Sequence, residues 1–397
     1  MKPRQKLDRA TVAWLDRPGL KKLLQVLNEN DGVARLVGGC VRDSLMGRPI
    51  GDIDVACSLH PEEAMSRLEK AGIKVIPTGL KHGTITAVSR GEVVEVTALR
   101  RDVETYGRHA DVAFTDDWLE DARRRDLTVN AFYLDADGTL YDPCDGWQDL
   151  QNRHVRFIGQ AEQRIQEDAL RILRFFRFAA QFDESTLDED GLAACIAKRE
   201  MISNLSGERL AQEMKKLLSF PAAERILPIM AECGILDKVL PDNVGVENFL
   251  RYIRREKELG LCSVTARLAT LMPEDPDRSR LMARHLRLSG KETSDLADLA
   301  TAHPELEGEL SKKDLRRLLY HLGRTVVLFR MVAGGTAEQV RYVQTYSIPS
   351  FPLQGRDLLQ NGEKAGPELG QKLKKLEQLW EESDYTLAKE QLLAIAE

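Results

Sequence analysis

An α+β chain is what this sequence predicts: a mixed strand-and-helix head of about 150 residues, followed by an all-helical remainder. Three observations predict it. Short runs rich in β-branched residues and bounded by glycines cluster before residue 150. From about residue 161 onward, apolar residues recur with the 3.6 period of a helix and strand signals fade. At 397 residues, 43% hydrophobic and 30% charged, the chain exceeds one ordinary domain and has ample core for several.

In chain order, helical patterns cover 18–28, 41–46 and 61–71, and strand patterns cover 34–37, 52–57, 74–76, 84–89, 93–99 and 131–134. Residues 101–112, with Gly107 available as a hinge, read as an exposed loop joining strands. The turn cluster Asp142-Pro143-Cys144-Asp145-Gly146 closes the head. Glycines and prolines at 204–207, 241–245, 273–276, 334–335 and 348–352 punctuate the helical remainder. There is no internal repeat and no low-complexity tract.

Composition narrows the function classes. No apolar run approaches the ~18 residues of a membrane helix. The basic start Met1-Lys2-Pro3-Arg4-Gln5-Lys6 has no apolar segment behind it, so no signal peptide is expected. The six cysteines (40, 57, 144, 195, 233, 262) lack Cys-x-x-Cys spacing, which argues for a reducing cytoplasm and against structural zinc. Cys40 and Cys57 read as small buried side chains. A net charge of −6 leaves nucleic-acid binding to a local basic patch. Such a patch exists between Arg153 and Arg177, where six arginines face three carboxylates.

The densest chemistry lies in the seventeen residues from Gly38 to Asp54. An apolar strand ends in Gly38-Gly39, Arg42-Asp43 follow, and Asp52-Ile53-Asp54 open a second strand. Side chains alternate faces along a strand, so Asp52 and Asp54 share one side while Ile53 and Val55 face the core. Two neighbouring carboxylates repel unless a cation lies between them, and Mg²⁺ shared with substrate phosphates is a common solution. The glycines let a backbone approach phosphate oxygens closely. The stretch therefore reads as a metal–triphosphate site, although Gly-Gly alone is often a plain turn and Asp-x-Asp alone a solvated edge. Glu95, between valines in Val93-Val94-Glu95-Val96, is either a solvated edge residue or a third carboxylate of that site.

These segments resemble the polymerase-β-like nucleotidyltransferase superfamily, and more closely its class II branch of bacterial CCA-adding enzymes and poly(A) polymerases. Further motifs carry the likeness: Glu95-Val96-Thr97, Arg124-Arg125-Asp126-Leu127-Thr128-Val129-Asn130-Ala131 (with Leu127 where the family has Phe), Glu167-Asp168-x-x-Arg171, and Ser206-Gly207-Glu208-Arg209 followed by Glu213. The resemblance implies a catalytic nucleotidyltransferase head (1–150), a helical neck that reads the base (151–225), a helical body (226–345) and a tRNA-binding tail (346–397).

The resemblance further implies that Asp52 and Asp54 bind Mg²⁺, with Glu95 completing the catalytic set. Gly38, Gly39, Arg42 and Arg124 would hold the nucleotide, with Asp126 and Asn130 as braces. Asp168 and Arg171, three apart on one helix face, would act as an amino-acid template, with Arg174 and Arg177 continuing toward phosphate or RNA. The template has a physical basis. The Watson–Crick edges of C and A each pair an amino donor with a ring-nitrogen acceptor, whereas G and U present a carbonyl and an N–H. A carboxylate only accepts and a guanidinium only donates, so the pair admits C and A and rejects G and U. A plain i,i+3 salt bridge is the competing reading. Phe175, Phe176 and Phe178 read as core, and the Ser206 segment as a brace.

The implied activity is addition of C, C and A to the 3′ end of tRNA from CTP and ATP. Thr78-Gly79-Leu80-Lys81-His82-Gly83-Thr84 matches the CCA type rather than the Gly-Arg-Arg-Phe-like segment of poly(A) polymerases, and the tail is not strongly basic. Poly(A) synthesis, CC-only or A-only addition, and a non-catalytic nucleotide- or RNA-binding module are the alternatives. The implied partners are CTP, ATP and the tRNA acceptor arm. No membrane is expected, and the chain is a monomer or a homodimer.

Overall fold

The computed structural model describes residues 1–106, 109–182 and 184–396. They form two compact units, Met1–Pro241 and Asp242–Glu397. The first opens with β1 (Pro3–Lys6), α1 (Pro18–Leu27), β2 (Ala34–Val37), α2 (Gly39–Leu45), β3 (Ile53–Cys57), α3 (Pro61–Lys70), β4 (Lys74–Gly79), β5 (Thr84–Ser89) and β6 (Glu92–Ala98). It continues through β7 (Arg100–Tyr106), β8 (His109–Phe114), α4 (Trp118–Arg123), β9 (Tyr133–Leu134), β10 (Thr139–Tyr141) and α5 (Gly146–Gln151). Then come β11 (His154–Val155), α6 (Ala161–Glu167), α7 (Leu170–Gln181), β12 (Thr186–Leu187), α8 (Glu189–Ala197), α9 (Gly207–Ser219), α10 (Ala223–Glu232) and α11 (Leu236–Val239).

Eight strands form one mixed sheet in the order β1-β10-β9-β2-β3-β6-β5-β4. Only β3 and β6 run parallel in it. Proline starts both α1 and α3, where its missing N–H costs nothing and its φ suits a first turn. The α1 stripe Leu20, Leu23, Leu24 and Leu27 has helical spacing and is fully buried. Helix and sheet meet closely at Gly19, where a Cβ would lie 2.1 Å from the Ser89 carbonyl oxygen, so a side chain there would displace α1 from β5. Further along, α7 turns Phe175, Phe176 and Phe178 inward, and Phe175 stacks on Phe157 with centroids 5.0 Å apart. These rings are core, as read from the sequence.

The second unit holds α12 (Glu247–Glu258), α13 (Val264–Ala269), α14 (Pro276–His285), α15 (Gly290–Ala300), α16 (Lys312–Gly334), α17 (Ala337–Thr345), α18 (Gly355–Gln360), α19 (Pro367–Glu382) and α20 (Lys389–Ala396). One core gathers Leu315, Leu319, Val327, Val332 and Val343. Another gathers Leu358, Leu376, Trp380 and Leu392.

Several expectations need correction. Residues 101–112 are largely a β-hairpin, β7 paired antiparallel with β8, because each segment finds its backbone hydrogen-bond partner in the other. Gly107, expected as a hinge, lies outside the described residues. The strand expected at 131–134 is shortened to Tyr133–Leu134, since Thr128–Asn130 form a 3₁₀ turn ahead of it. α10 spans residues 225 and 226, and the first compact unit runs to Pro241; the neck and body division is a functional one and stays a proposal. Among the described residues, no helix is long and apolar enough to cross a membrane.

A buried ion pair locks α7 to α9. Arg177 Nε donates to Glu213 Oε2 at 2.5 Å, and both side chains are nearly inaccessible. Removing one partner leaves an uncompensated buried charge. Glu213→Ala should therefore cost about 3–5 kcal/mol, read as a lowered urea midpoint. A change under about 1 kcal/mol would show that solvent already reaches the pair.

Candidate active site

β3 and β6 run side by side with Asp54 directly opposite Glu95. Neighbours in a parallel pair face the same way, so these two carboxylates share the open side of the sheet. Asp52 lies exposed in a bend just before β3 begins at Ile53, one residue later than the sequence pattern suggested. Burial raises the Asp54 carboxyl, Glu95 adds to the rise, Arg125 opposes it and Asp52 adds a little more, leaving it at about 6. A carboxylate held high by burial first and by two acidic neighbours after it is a site that a cation would favour. Among the described residues, no three His, Cys, Asp or Glu side chains are already gathered as a metal site. A cation here would thus take one or two protein carboxylates and complete its shell with phosphate and water oxygens, which is how Mg²⁺ is usually held.

Gly38 caps the start of α2 with φ 76° and ψ −128°, a conformation open to glycine and strained for other residues. A Cβ placed there would lie 3.8 Å from Asp54 Oδ2 and 4.0 Å from Arg125 Nη1. The turn therefore lies between the carboxylates and a guanidinium. Cys40 and Cys57 are buried, and burial pushes both thiols up to about 11, so they stay protonated at neutral pH.

Arg42, expected at the nucleotide, already has partners within the chain. Its guanidinium is turned inward, donating to Asn130 Oδ1 at 2.6 Å and to Asp43, and it lies over the Phe178 ring. It braces the turn from behind. Asn130 Nδ2 in turn donates to Asp126, which is buried. Burial alone would raise the Asp126 carboxyl, but Arg174, whose Nε donates to it at 2.5 Å, holds it well below the usual range. Arg174 Nε is engaged by Asp126 and Arg177 Nε by Glu213.

Asp168 and Arg171 do not share a continuous helix. Asp168 has extended backbone (φ −155°, ψ 108°) and separates α6 from α7. Its Oδ1 accepts from the Leu170 N–H, the local side-chain-to-backbone bond by which Asp starts a helix. Its Oδ2 accepts from Arg209 Nη2 at 2.7 Å. Arg171 Nη1 donates to Glu167 at 2.5 Å and to the Arg164 carbonyl at 2.9 Å, and its Nη2 donates to the Arg124 carbonyl at 2.9 Å. Each side chain has its own anchors rather than the other as a partner.

Comparison with known proteins places this geometry. Residues 34–156 match the Poly A polymerase head domain family, and residues 186–243 match a family described as the probable RNA and SrmB-binding site of polymerase A. A Danio rerio protein named CCA tRNA nucleotidyltransferase 1, mitochondrial, is 37% identical over 95% of this chain and 90% of its own length. A Homo sapiens protein of the same name is 35% identical over 95% of this chain and 89% of its own length. The chain belongs to the CCA tRNA nucleotidyltransferase family.

The family's crystal structures agree. The Bacillus stearothermophilus CCA-adding enzyme in complex with CTP is 30% identical, with a TM-score of 0.78 over 96% of this chain and 97% of that one. The Thermotoga maritima CCA-adding enzyme, at 20% identity and a TM-score of 0.72, has the same fold. Family enzymes generally use divalent metals. The matched head span contains Gly38, Gly39, Asp52, Asp54, Glu95 and Arg124, whereas Asp168 and Arg171 lie between the two matched spans.

Sequence reasoning missed three partners. Asp121 and Tyr133 hold Arg124 and Arg125, and the only signal was the i,i+3 and i,i+4 spacing of Asp121 to the two arginines. Arg209 holds Asp168 across 41 residues, which no local pattern announces.

Proposed function

We infer that this chain adds C, C and A in turn to the 3′ end of tRNA, using CTP and ATP. The observation that carries the reading is the Asp54–Glu95 carboxylate pair, with Asp52 just before β3, set beside the Gly38 turn and the Arg125 guanidinium. An enzyme that joins a hydroxyl to a nucleoside triphosphate needs such a juxtaposition. The 3′-oxygen of the RNA forms a bond to the α-phosphorus, and the bond from that phosphorus to the bridging oxygen breaks to release pyrophosphate.

Asp52 and Asp54 would hold Mg²⁺, and the raised Asp54 carboxyl fits that role because a cation relieves its repulsion from Glu95. Bound there, the metal would acidify the attacking hydroxyl and neutralise the leaving phosphates. Gly38 and Gly39 let the backbone approach the triphosphate, and Arg124 meets its phosphate or sugar. Asp168 and Arg171 read the base, each held at a fixed angle by its own anchors. Arg42 would hold the triphosphate with the Gly38 turn, and Arg174 and Arg177 would continue toward phosphate or RNA, each starting from the partner it has here.

The head, neck, body and tail division stands as a functional proposal, with the helical second unit gripping the tRNA acceptor arm by shape and phosphate contacts. Among the described residues the cysteines form no disulfide, which suits a reducing compartment, and we propose the cytoplasm. The Danio rerio, Mus musculus and Homo sapiens relatives carry the word mitochondrial in their names.

Incubation with tRNA ending at the discriminator base, plus CTP and ATP, should yield three added residues and then stop. A long ladder with ATP alone would make the chain a poly(A) polymerase. A halt after two C residues with ATP present would make it CC-specific.

A further inference from the structure

Asp121 is a buried acid with no place in the reading above. It sits in α4 with 1% of its surface exposed and gathers three donors. Oδ1 accepts from Arg124, with Nε at 2.8 Å and Nη2 at 2.6 Å. Oδ2 accepts from Arg125 Nη2 at 3.0 Å and from the Tyr133 hydroxyl at 2.7 Å. Burial alone would drive this carboxyl to its neutral form, but Arg125 and Arg124 outweigh that and keep it ionised. Tyr133 is itself buried, accepts from Arg125 Nε at 3.2 Å, and is wedged edge-on by Trp118 at 5.4 Å. Arg125 is thus gripped along its Nε–Nη2 edge by two groups, and its Nη1 reaches the Gly38 turn beside Asp54. The carbonyl of Arg124 supports Arg171.

We propose that Asp121 is the positioning residue of the nucleotide site. It sets Arg124 and Arg125 as a rigid cationic wall across from Asp54 and, through the Arg124 carbonyl, the seat of Arg171. The inference rests on the CCA-adding reading, because the wall is taken to receive a nucleoside triphosphate. An unheld arginine has many rotamers and must be ordered at each binding event. A buried carboxylate that accepts from both guanidinia and from a packed tyrosine does that ordering in the free protein. One group can serve both arginines because the chain leaving α4 keeps turning, with Arg124 N–H donating to the Glu120 carbonyl and Arg125 N–H to the Ala122 carbonyl, which brings both back beside Asp121.

The test is steady-state kinetics on tRNA ending at the discriminator base, with thermal melts to show that each variant is folded at the assay temperature. Asp121→Asn should raise KM for CTP and for ATP together by about 10-fold or more, with Kd for tRNA unchanged. Tyr133→Phe keeps the carboxylate, removes one of its donors and should raise both KM values about 2- to 5-fold. A merely structural role would act differently. It would shrink the active fraction and lower kcat while leaving KM alone, and that result in either folded variant overturns the proposal. If Asp121→Asn does not fold, Tyr133→Phe decides the matter. Should the unaltered protein add no nucleotide, the functional reading itself fails. Should it add CCA while both variants keep their KM values, only this inference fails.

Discussion

Asp52→Ala and Asp54→Ala should each abolish nucleotide addition while leaving the melting curve cooperative. Each removes a ligand from a cation on which charge stabilisation and activation of the attacking hydroxyl would both depend, so losses of 10³-fold or more are the scale expected. Retention of more than about 10% of activity by either variant would sink the assignment. The raised Asp54 carboxyl adds a pH signature. Only its ionised form can bind a cation, so at low magnesium, activity should fall as pH drops through about 6. Saturating magnesium competes with the proton and should move that falling limb to lower pH.

Stability should run the other way. The folded-state value lies above the ordinary carboxylate value of 3.8, so the native protein binds more protons over that window. This contribution is present below about pH 4 and is lost as pH rises through about 6. Asp54→Asn should therefore stabilise the metal-free protein at pH 7 by about 1–2 kcal/mol, discounted for partial solvent screening, while being inactive. An inactive variant with a lowered Tm would mean that Asp54 is held by partners it needs for folding.

The second large effect concerns base choice. Asp168→Ala should reduce the ratio of kcat/KM for CTP over UTP, by about 1–3 kcal/mol per lost polar contact. The change removes an acceptor for the amino groups of C and A and also the repulsion that a carbonyl of U or G would meet. Arg171→Ala should weaken CTP and ATP use together, because both bases offer a ring nitrogen. The anchoring seen here sharpens the test. Asp168 is paired with Arg209 rather than Arg171, so Arg209→Ala should reproduce part of the loss of discrimination without touching the base reader itself. Single-turnover assays with all four nucleotides would read both effects. Equal slowing of CTP and UTP in Asp168→Ala would mean that Asp168 only fastens α6 and α7 to α9.

Chemistry confined to short stretches was legible in the sequence. Gly38-Gly39 followed by Asp52-x-Asp54 announced a strand, a turn and a pair of acids, because alternation along a strand is a local rule. The amphipathic stripe of α1 and the inward rings of α7 followed from periodicity alone, and the family expectation drawn from these motifs is borne out. Strands that exist only because a distant partner supplies their hydrogen bonds were not legible. Pro3–Lys6 is a strand because it pairs with Thr139–Tyr141, more than a hundred residues away, and neither segment has a strong pattern of its own.

Side-chain partners were the least legible of all. The sequence by itself determined which acids, glycines and arginines could make a nucleotidyltransferase site. Only the tertiary structure decided which partner within the chain each arginine meets. Arg42 is drawn to Asn130 as well as to its neighbour Asp43, Arg174 to Asp126 and Arg177 to Glu213, and the three distant pairs each span at least 36 residues. A guanidinium withdrawn from water must find acceptors, and the distant ones are set by how the sheet and helices pack, which no local pattern announces.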